Sequence, residues 1–302
     1  MKGVVIVPTW RRPDFLWACL HRLLQCDGIR DYGIVLSIDR SSDPEIDRVA
    51  MALVAKTGAG GLYDGQKIRI RVVEPHHYHG NSYNVLGAYR YAAAVTSGLV
   101  ILLEEDIFVA RGFLRYHEAA HVAAPSCFCV SACQDQNAPL PDSLARGDSA
   151  TVYERPTYQS LGVSFQAAVV RHFLAILDDL PNYFAEPTET LASRFPDTKI
   201  PRPQAEQDGF LGRVLEEWVV QHGALGAIYP VVPRAFHAGF HGYNRSGGKP
   251  LYDGTAEDRG RRLLAMTELE MNDRADSRYR DIRVCPLDVQ EREPLVLRLA
   301  VV

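Results

Sequence analysis

Residues 100–110 of this chain read Val-Ile-Leu-Leu-Glu-Glu-Asp-Ile-Phe-Val-Ala, so four apolar residues run directly into three adjacent acids. The apolar run is typical of an interior strand in a largely parallel sheet, and ligands of open α/β sheets bind at the carboxyl ends of such strands. Because like charges in contact repel one another, Glu104, Glu105 and Asp106 need a positive partner there. The pattern favours a divalent cation that bridges to phosphate oxygens; the alternative is a solvated acidic turn before a helix N-terminus.

The composition is that of an ordinary folded protein. The chain has 302 residues, of which 47% are hydrophobic and 23% charged, enough for one large α/β domain. Its formal net charge of −4 gives no overall electrostatic reason to bind nucleic acid or an anionic membrane. No leader and no apolar run of membrane-spanning length is present, and the six scattered cysteines favour free thiols packed in the core. We therefore expect a cytoplasmic protein, or one of the host cytoplasm if the source is viral.

Hydrophobic periodicity predicts repeated strand–helix units in the first half of the chain. Strands are predicted at 4–8, 34–39, 68–74 and 99–104, and helices at 14–25, 44–56, 81–96 and 113–123. This alternation implies a parallel sheet with right-handed crossovers. We assign 1–125 to a nucleotide-binding half and 126–302 to an acceptor-binding half of one continuous domain.

The second half is less regular. A long polar loop is predicted at 134–158, an irregular Pro-rich stretch at 181–205, and a loop or lid at 234–248. Strands are predicted at 128–132, 226–232 and 295–302, a strand that leads into a helix at 161–170, and further helices at 208–222 and 259–271. Basic residues cluster near 194–202, 259–262 and 278–283, and these clusters could line a DNA-binding face.

The residues that follow the four predicted strands should meet at one edge of the sheet. They include Pro8, Thr9, Arg11 and Arg12 after the first strand, Asp39 at the end of the second, His76 after the third, and the acids after the fourth. Together they offer arginine for phosphate, an acid for a ribose hydroxyl or ring N–H, histidine for a base and carboxylates for a metal. This set suits a nucleoside diphosphate. The chain lacks a Gly-x-Gly-x-x-Gly or Gly-Lys-Ser/Thr motif, which argues against dinucleotide oxidoreductases and P-loop enzymes.

Residues 104–113 read Glu-Glu-Asp-Ile-Phe-Val-Ala-Arg-Gly-Phe. The sequence resembles the nucleotide-sugar glycosyltransferases of the GT-A fold, most closely the inverting N-acetylglucosaminyltransferase I type. In that family a strand ends in Glu-Asp-Asp, followed by an apolar residue, Val-Ala and a Phe-containing helix, so only the middle acid differs here. The likeness covers about residues 3–116, and beyond them it is limited to 205–210 and 233–239.

The resemblance implies roles for particular residues. Asp106 would bind Mn²⁺ or Mg²⁺, which stabilises the departing nucleoside diphosphate, and Glu104 and Glu105 would orient the sugar or the waters of the metal. Asp208 would deprotonate the acceptor hydroxyl, although an acid at this point could also be an ordinary helix N-cap. Further contacts are implied for ten residues: the nucleotide or its phosphates for Pro8, Thr9, Arg11, Arg12, Asp39, His76, Arg234 and Arg245, and the metal for His237 or His241.

The function implied by the resemblance is inverting transfer of a hexose from a nucleotide sugar, most simply a UDP-sugar, to an acceptor hydroxyl. We expect no membrane anchor of the kind that the Golgi members carry, so the resemblance implies a bacterial or viral relative that acts without a membrane. The acceptor stays open between a saccharide, a protein side chain and a hydroxymethylated DNA base. Two other classes also stay open: a noncatalytic sugar- or nucleic-acid-binding module, and a sugar-nucleotide pyrophosphorylase.

Overall fold

The structure is a computed structural model that describes residues 1–39, 44–56, 67–73, 80–134, 140, 144, 149–196, 206–238, 252–273 and 295–300. The strands in these ranges are β1 (Gly3–Thr9), β2 (Tyr32–Asp39), β3 (Lys67–Val73), β4 (Leu99–Leu102), β5 (Ile107–Val109), β6 (Cys129–Ser131), β7 (Thr151–Arg155), β8 (Val163–Gln166), β9 (Ala227–Pro230), β10 (Ala235–His237) and β11 (Arg298–Ala300). The α-helices are α1 (Pro13–Leu23), α2 (Pro44–Lys56), α3 (Gly80–Val95), α4 (Phe113–Ala123), α5 (Ala167–Asp178), α6 (Pro187–Arg194), α7 (Gln207–His222) and α8 (Ala256–Asp273).

Nine of these strands form one sheet in the order β11-β7-β9-β6-β8-β4-β1-β2-β3. Strands β3, β2, β1 and β4 run parallel to one another, whereas β8 runs antiparallel to both β4 and β6. The predicted fold class, an α/β fold with a mostly parallel sheet flanked by helices, is confirmed. Strands from both predicted halves are hydrogen-bonded into the same sheet.

The core lies on both faces of this sheet because side chains alternate along each strand. In β1, Val5 and Val7 pack in a cluster with Leu16 and Leu20 of α1 and with residues of α4 and α8. Their neighbour Ile6 packs on the opposite face with residues of α3, α5 and α7. Burial on both faces explains the uninterrupted apolar sequence of β1 and β4.

A second, two-stranded sheet pairs β5 with β10 in antiparallel register, so that His237 lies opposite Ile107. This pairing brings residues from the second half of the chain beside the segment that follows the acids. The prediction of a loop for 234–248 is therefore wrong at Ala235–His237.

Two further elements were not predicted. Strand β7 lies within the stretch 134–158, and of its five residues only Val152 and Tyr153 are buried, between more exposed neighbours. Helix α6 lies within 181–205; it is eight residues long, and Leu191 is its only buried residue. Among the described helices, none is both long and apolar enough to cross a membrane. The five cysteines that the structure describes are buried free thiols.

Candidate functional site

The carboxyl ends of β1, β2 and β4 lie side by side, as predicted. Ile6 pairs with Leu102 of β4, and Thr9 pairs with Ile38 of β2. Pro8 and Thr9 are buried at this edge, and the hydroxyl of Thr9 has no hydrogen-bond partner in the structure. Asp39 is buried at the end of β2.

Two of the three acids after β4 are buried and share one arginine. The Arg12 side chain contacts Glu105 Oε1 through Nε at 3.0 Å and Nη2 at 2.9 Å. Its Nη1 donates to Asp106 Oδ2 at 2.8 Å. The backbone N–H of Trp10 also points to Glu105 Oε1 at 3.4 Å. The positive partner of these acids in the free protein is therefore Arg12, which the resemblance assigns to the nucleotide.

Asp106 has a second neighbour in His237 of β10, whose Nε2 lies 3.5 Å from Asp106 Oδ2. Burial favours the protonated form of Asp106, but Arg12 and His237 together outweigh it and hold the pKa of this carboxyl below its usual range. The other oxygen, Oδ1, is buried and has no hydrogen-bond partner. A buried, ionised carboxylate with one open oxygen is suited to receive a cation.

The side chains of Asp106 and His237 suit a divalent metal ion only in part. A carboxylate oxygen and an imidazole nitrogen are ligands that Mn²⁺ accepts. Within the described ranges, however, no group of three histidine, cysteine or acidic side chains is arranged to hold a metal ion. Asp106 and His237 therefore fit an ion whose remaining ligands are water and the phosphate oxygens of a substrate.

Glu104 interacts electrostatically with both Asp106 and the predicted base. Burial raises the pKa of Glu104, and the nearby carboxylates of Asp106 and then Asp208 raise it further. The structure thus brings Asp106, Glu104 and Asp208 into one electrostatic neighbourhood, although Asp208 comes from α7 in the other half of the chain.

Asp208 lies in the first turn of α7. Its side chain reaches solvent but is flanked by protein, and this desolvation raises the pKa of Asp208 to about 6. The hydroxyl of Ser160 donates to Asp208 Oδ2 at 3.4 Å, which opposes the shift, and Glu206 adds to it. The first turn is fixed by the backbone N–H of Gln207, which donates to Ser82 Oγ of α3 at 3.1 Å.

The other predicted residues have different positions. Arg11 is exposed with φ 55°, and its guanidinium lies over the Trp10 ring at 4.6 Å. Arg234 is fully buried and donates to the backbone carbonyls of Val232 and Ser149, so the structure does not bring it to the sheet edge. Its predicted contact with phosphate has no support from this position. His76, His241 and Arg245 lie outside the described residues.

Sequence reasoning missed Ser160, which hydrogen-bonds the predicted base. It lies at the start of the Ser160–Gly162 turn before β8, far from Asp208 along the chain, and no motif surrounds it. Only the sheet order, which places β8 beside β4, could have indicated it.

Comparisons with known proteins give structural neighbours but no sequence family. No protein-family model matches the chain, and no curated protein matches it. Among solved structures, S. aureus TarS 1–349 in complex with UDP-GlcNAc is 17% identical with a TM-score of 0.42, and the match covers 59% of this chain and 48% of TarS 1–349. This chain thus spans about half the length of that structure.

The matches to two further solved structures cover more of this chain. The mannosyltransferase PcManGT from Pyrobaculum calidifontis, in complex with GDP-Man and Mn²⁺, is 16% identical with a TM-score of 0.48, and the match covers 89% of this chain and 75% of PcManGT. The galactosyltransferase LgtC, in complex with donor and acceptor sugar analogues, is 11% identical with a TM-score of 0.41, and the match covers 75% of this chain and 72% of LgtC. At these levels of similarity, the activity has to be inferred from the site itself.

Proposed function

We propose that this protein is a metal-dependent, inverting glycosyltransferase that moves a sugar from a nucleoside-diphosphate sugar to an acceptor hydroxyl. The observation that carries the proposal is the arrangement around Glu104. Its carboxyl interacts electrostatically with both Asp106 and Asp208. Asp106 presents an open oxygen beside His237, and Asp208 has a pKa of about 6. A cation site and a separate base near one carboxylate suit a displacement between two substrates.

The donor binds along the sheet edge. Thr9 and Asp39 lie at the ends of β1 and β2, where a nucleoside is held, and a UDP-sugar is the simplest donor. Asp106 and His237 hold Mn²⁺ or Mg²⁺ together with the diphosphate. When bound, the ion neutralises the charge that develops on the departing nucleoside diphosphate.

Asp208 acts as the general base. With a pKa raised to about 6, Asp208 is still mostly ionised at neutral pH but is a stronger base than an ordinary aspartate, which suits a catalytic base. It removes the proton of the acceptor hydroxyl, whose oxygen attacks the anomeric carbon as the bond to the diphosphate breaks. A single displacement of this kind inverts the anomeric configuration. Ser160 orients the carboxylate through its hydrogen bond.

For the acceptor we propose a saccharide. Phe184 is 45% exposed and meets the Tyr83 ring edge-on, with ring centroids 5.1 Å apart. Tyr83 follows Ser82, the residue that anchors the first turn of α7, so the pair lies on the side of the molecule that carries Asp208. Exposed aromatic rings of this kind can pack against the apolar face of a sugar ring.

The structure gives less support to DNA as the acceptor. Three described arginines of the basic clusters already hold carboxylates and are not available as free phosphate contacts. These ion pairs are Arg194 with Glu217, Arg259 with Glu45, and Arg261 with Glu257. A hydroxymethylated base also has to leave the duplex to reach Asp208.

A donor screen with Mn²⁺ tests the proposal. Release of nucleoside diphosphate is measured for a panel of UDP-, GDP- and other nucleotide sugars, with oligosaccharides and with hydroxymethylated DNA as acceptors. We expect metal-dependent release from one donor class that a saccharide stimulates. Stimulation by the DNA but by no saccharide would identify DNA as the acceptor. Donor binding without turnover under any condition would indicate a binding module.

A further inference from the structure

Arg12 occupies an unusual position for a residue expected to contact a substrate. Its guanidinium is bound on two sides by Glu105 and Asp106, and only 19% of its side chain is exposed. The Phe15 ring lies beneath it, 5.3 Å from the guanidinium carbon. The side chain is therefore held by three neighbours in the free protein.

The backbone before Arg12 is shaped to allow this contact. Arg11 is the one non-glycine residue of the described ranges that has a positive φ, at 55°. The left-handed conformation costs a residue with a Cβ of the order of 1 kcal/mol, so the surrounding structure must favour it. The turn directs the Trp10 N–H and the Arg12 side chain toward the same carboxylate oxygen of Glu105.

The two oxygens of Asp106 have different partners. Oδ2 accepts from Arg12 and faces His237, whereas Oδ1 is buried without a partner. A cation that binds Oδ1 is separated from the guanidinium by a single carboxylate. Two positive charges at that distance repel strongly in a partly desolvated site.

We propose that Arg12 is a built-in counter-cation that weakens metal binding until the nucleoside diphosphate is present. This inference rests on the proposed function, because it takes Asp106 as the metal ligand. Without a substrate, Arg12 offsets one of the two negative charges of Glu105 and Asp106, so the ion meets a less negative site. The diphosphate supplies the missing negative charge and its own oxygen ligands, so ion and nucleotide bind together. Arg12 is thus a positioning residue that couples the two.

Binding of Mn²⁺ tests the inference directly. Free aqueous Mn²⁺ is followed by electron paramagnetic resonance during titration of the wild type, Arg12→Gln and Arg12→Lys, each without and with UDP. The control is Arg111→Gln, since Arg111 forms an exposed ion pair of its own, with Asp27 at a distance of 2.8 Å. The Gln variant removes the charge, and the Lys variant keeps the charge but loses the planar contact.

We expect Arg12→Gln to bind Mn²⁺ without UDP at least about tenfold more tightly than the wild type, because it removes a nearby positive charge. UDP should tighten Mn²⁺ binding by a smaller factor in this variant than in the wild type. Arg12→Lys should stay close to the wild type, and Arg111→Gln should not differ from it. Equal or weaker Mn²⁺ binding by Arg12→Gln without UDP overturns the inference.

A second measurement does not depend on the folding of a variant. In nuclear magnetic resonance spectra of the ¹⁵N-arginine-labelled wild type, the Nε–H signal of Arg12 should be protected from exchange in the free protein. Millimolar Mg²⁺ alone should leave the signal in place, and Mg²⁺ with UDP should shift it. An unprotected signal in the free protein overturns the inference. If neither the wild type nor Arg12→Gln binds Mn²⁺ with UDP, the proposed function fails as well. If both bind Mn²⁺ with UDP but Arg12→Gln binds it no more tightly than the wild type without UDP, only the role of Arg12 is contradicted.

Discussion

The carboxylate of Asp106 lies 3.5 Å from Nε2 of His237, although the two residues come from opposite halves of the chain. The contact depends on the antiparallel pairing of β5 with β10, which places His237 opposite Ile107, the residue after Asp106. Arg12 approaches the same carboxylate from the turn between β1 and α1. One acid thus meets a cationic and an imidazole side chain before any ligand is added.

Replacing Asp106 tests whether this pair holds the metal. We expect Asp106→Asn to lower the affinity for Mn²⁺ in the presence of UDP at least about tenfold, since it removes the charged ligand oxygen. His237→Gln should lower it as well. Calorimetric titration measures both, with Asp178→Asn as the control because Asp178 pairs with Arg90 on the surface. Unchanged affinity in Asp106→Asn would mean that the metal ligands lie elsewhere.

Replacing Asp208 separates an enzyme from a binding protein. Asparagine keeps the size of the side chain but cannot accept a proton, so turnover should fall by about 10²-fold or more while UDP affinity hardly changes. Single-turnover rates and calorimetry measure the two quantities. A matched loss of UDP binding would indicate a structural role for Asp208, and unchanged turnover would direct attention to Glu206 or Glu186.

The pH dependence should follow the environment of Asp208. Because the base must be ionised, kcat/KM should rise with pH below about 6 and level off above it, near the pKa of Asp208. The hydroxyl of Ser160 lowers this pKa and Glu206 raises it. Ser160→Ala should therefore move the acid limb to higher pH, and Glu206→Gln should move it to lower pH. Shifts in the same direction for both variants would contradict the assignment.

Much of the first half of the fold could be predicted from the sequence, because its strands are apolar runs and its helices carry apolar residues at helical spacing. Strand β1 is buried at all seven positions, and the predicted bounds of α2 and α4 agree with the structure. The parallel pairing then brings Thr9, Asp39 and Glu104 to one edge without any further information.

The second half could not be predicted in the same way, because its short elements are defined by contacts between distant residues. Strand β10 has three residues and exists only through its pairing with β5. The open oxygen of Asp106 and the bond from Ser160 to Asp208 depend on such pairings, so no local pattern could indicate them. Arg12 shows the same limit, since its sequence position suits a phosphate contact as well as an ion pair with Glu105.

A buried pair of histidines should make the protein sensitive to acid. Ser164 Oγ lies 2.7 Å from Nδ1 of His117 and 3.0 Å from Nε2 of His121, and all three side chains are buried. Burial lowers the pKa of His117 well below its usual value and that of His121 to about 4. The unfolded chain therefore binds more protons than the native protein below about pH 6.5, and stability falls as the pH falls.

Each histidine should contribute up to about 1.4 kcal/mol of lost stability per pH unit in that range. His121→Gln should reduce the slope of unfolding free energy against pH between 6 and 5. Urea unfolding at several pH values measures the slope. An unchanged slope in His121→Gln would show that other groups cause the acid sensitivity.

The packing of α8 on α1 gives a prediction in which two opposed effects can be compared. A Cβ at Gly260 of α8 would lie 2.6 Å from Cε3 of Trp17 and 2.9 Å from the carbonyl oxygen of Asp14. Alanine favours a helix over glycine by about 1 kcal/mol, but a clash with a backbone oxygen requires α1 or α8 to move and costs about 1–3 kcal/mol. Gly260→Ala should therefore lower the free energy of unfolding.

Gly212 of α7 is the matched control, because a Cβ there would meet no atom within 4 Å. Gly212→Ala should raise the free energy of unfolding by about 0.5–1 kcal/mol through helix propensity alone. Because α1 begins directly after Arg12, movement of α1 in Gly260→Ala should also weaken the contacts of Arg12 with Glu105 and Asp106. The Arg12 Nε–H should then exchange faster with solvent in the ¹⁵N-arginine spectrum. Urea unfolding of the two variants gives opposite signs if α8 is docked as the structure shows, and two stabilised variants would contradict that docking.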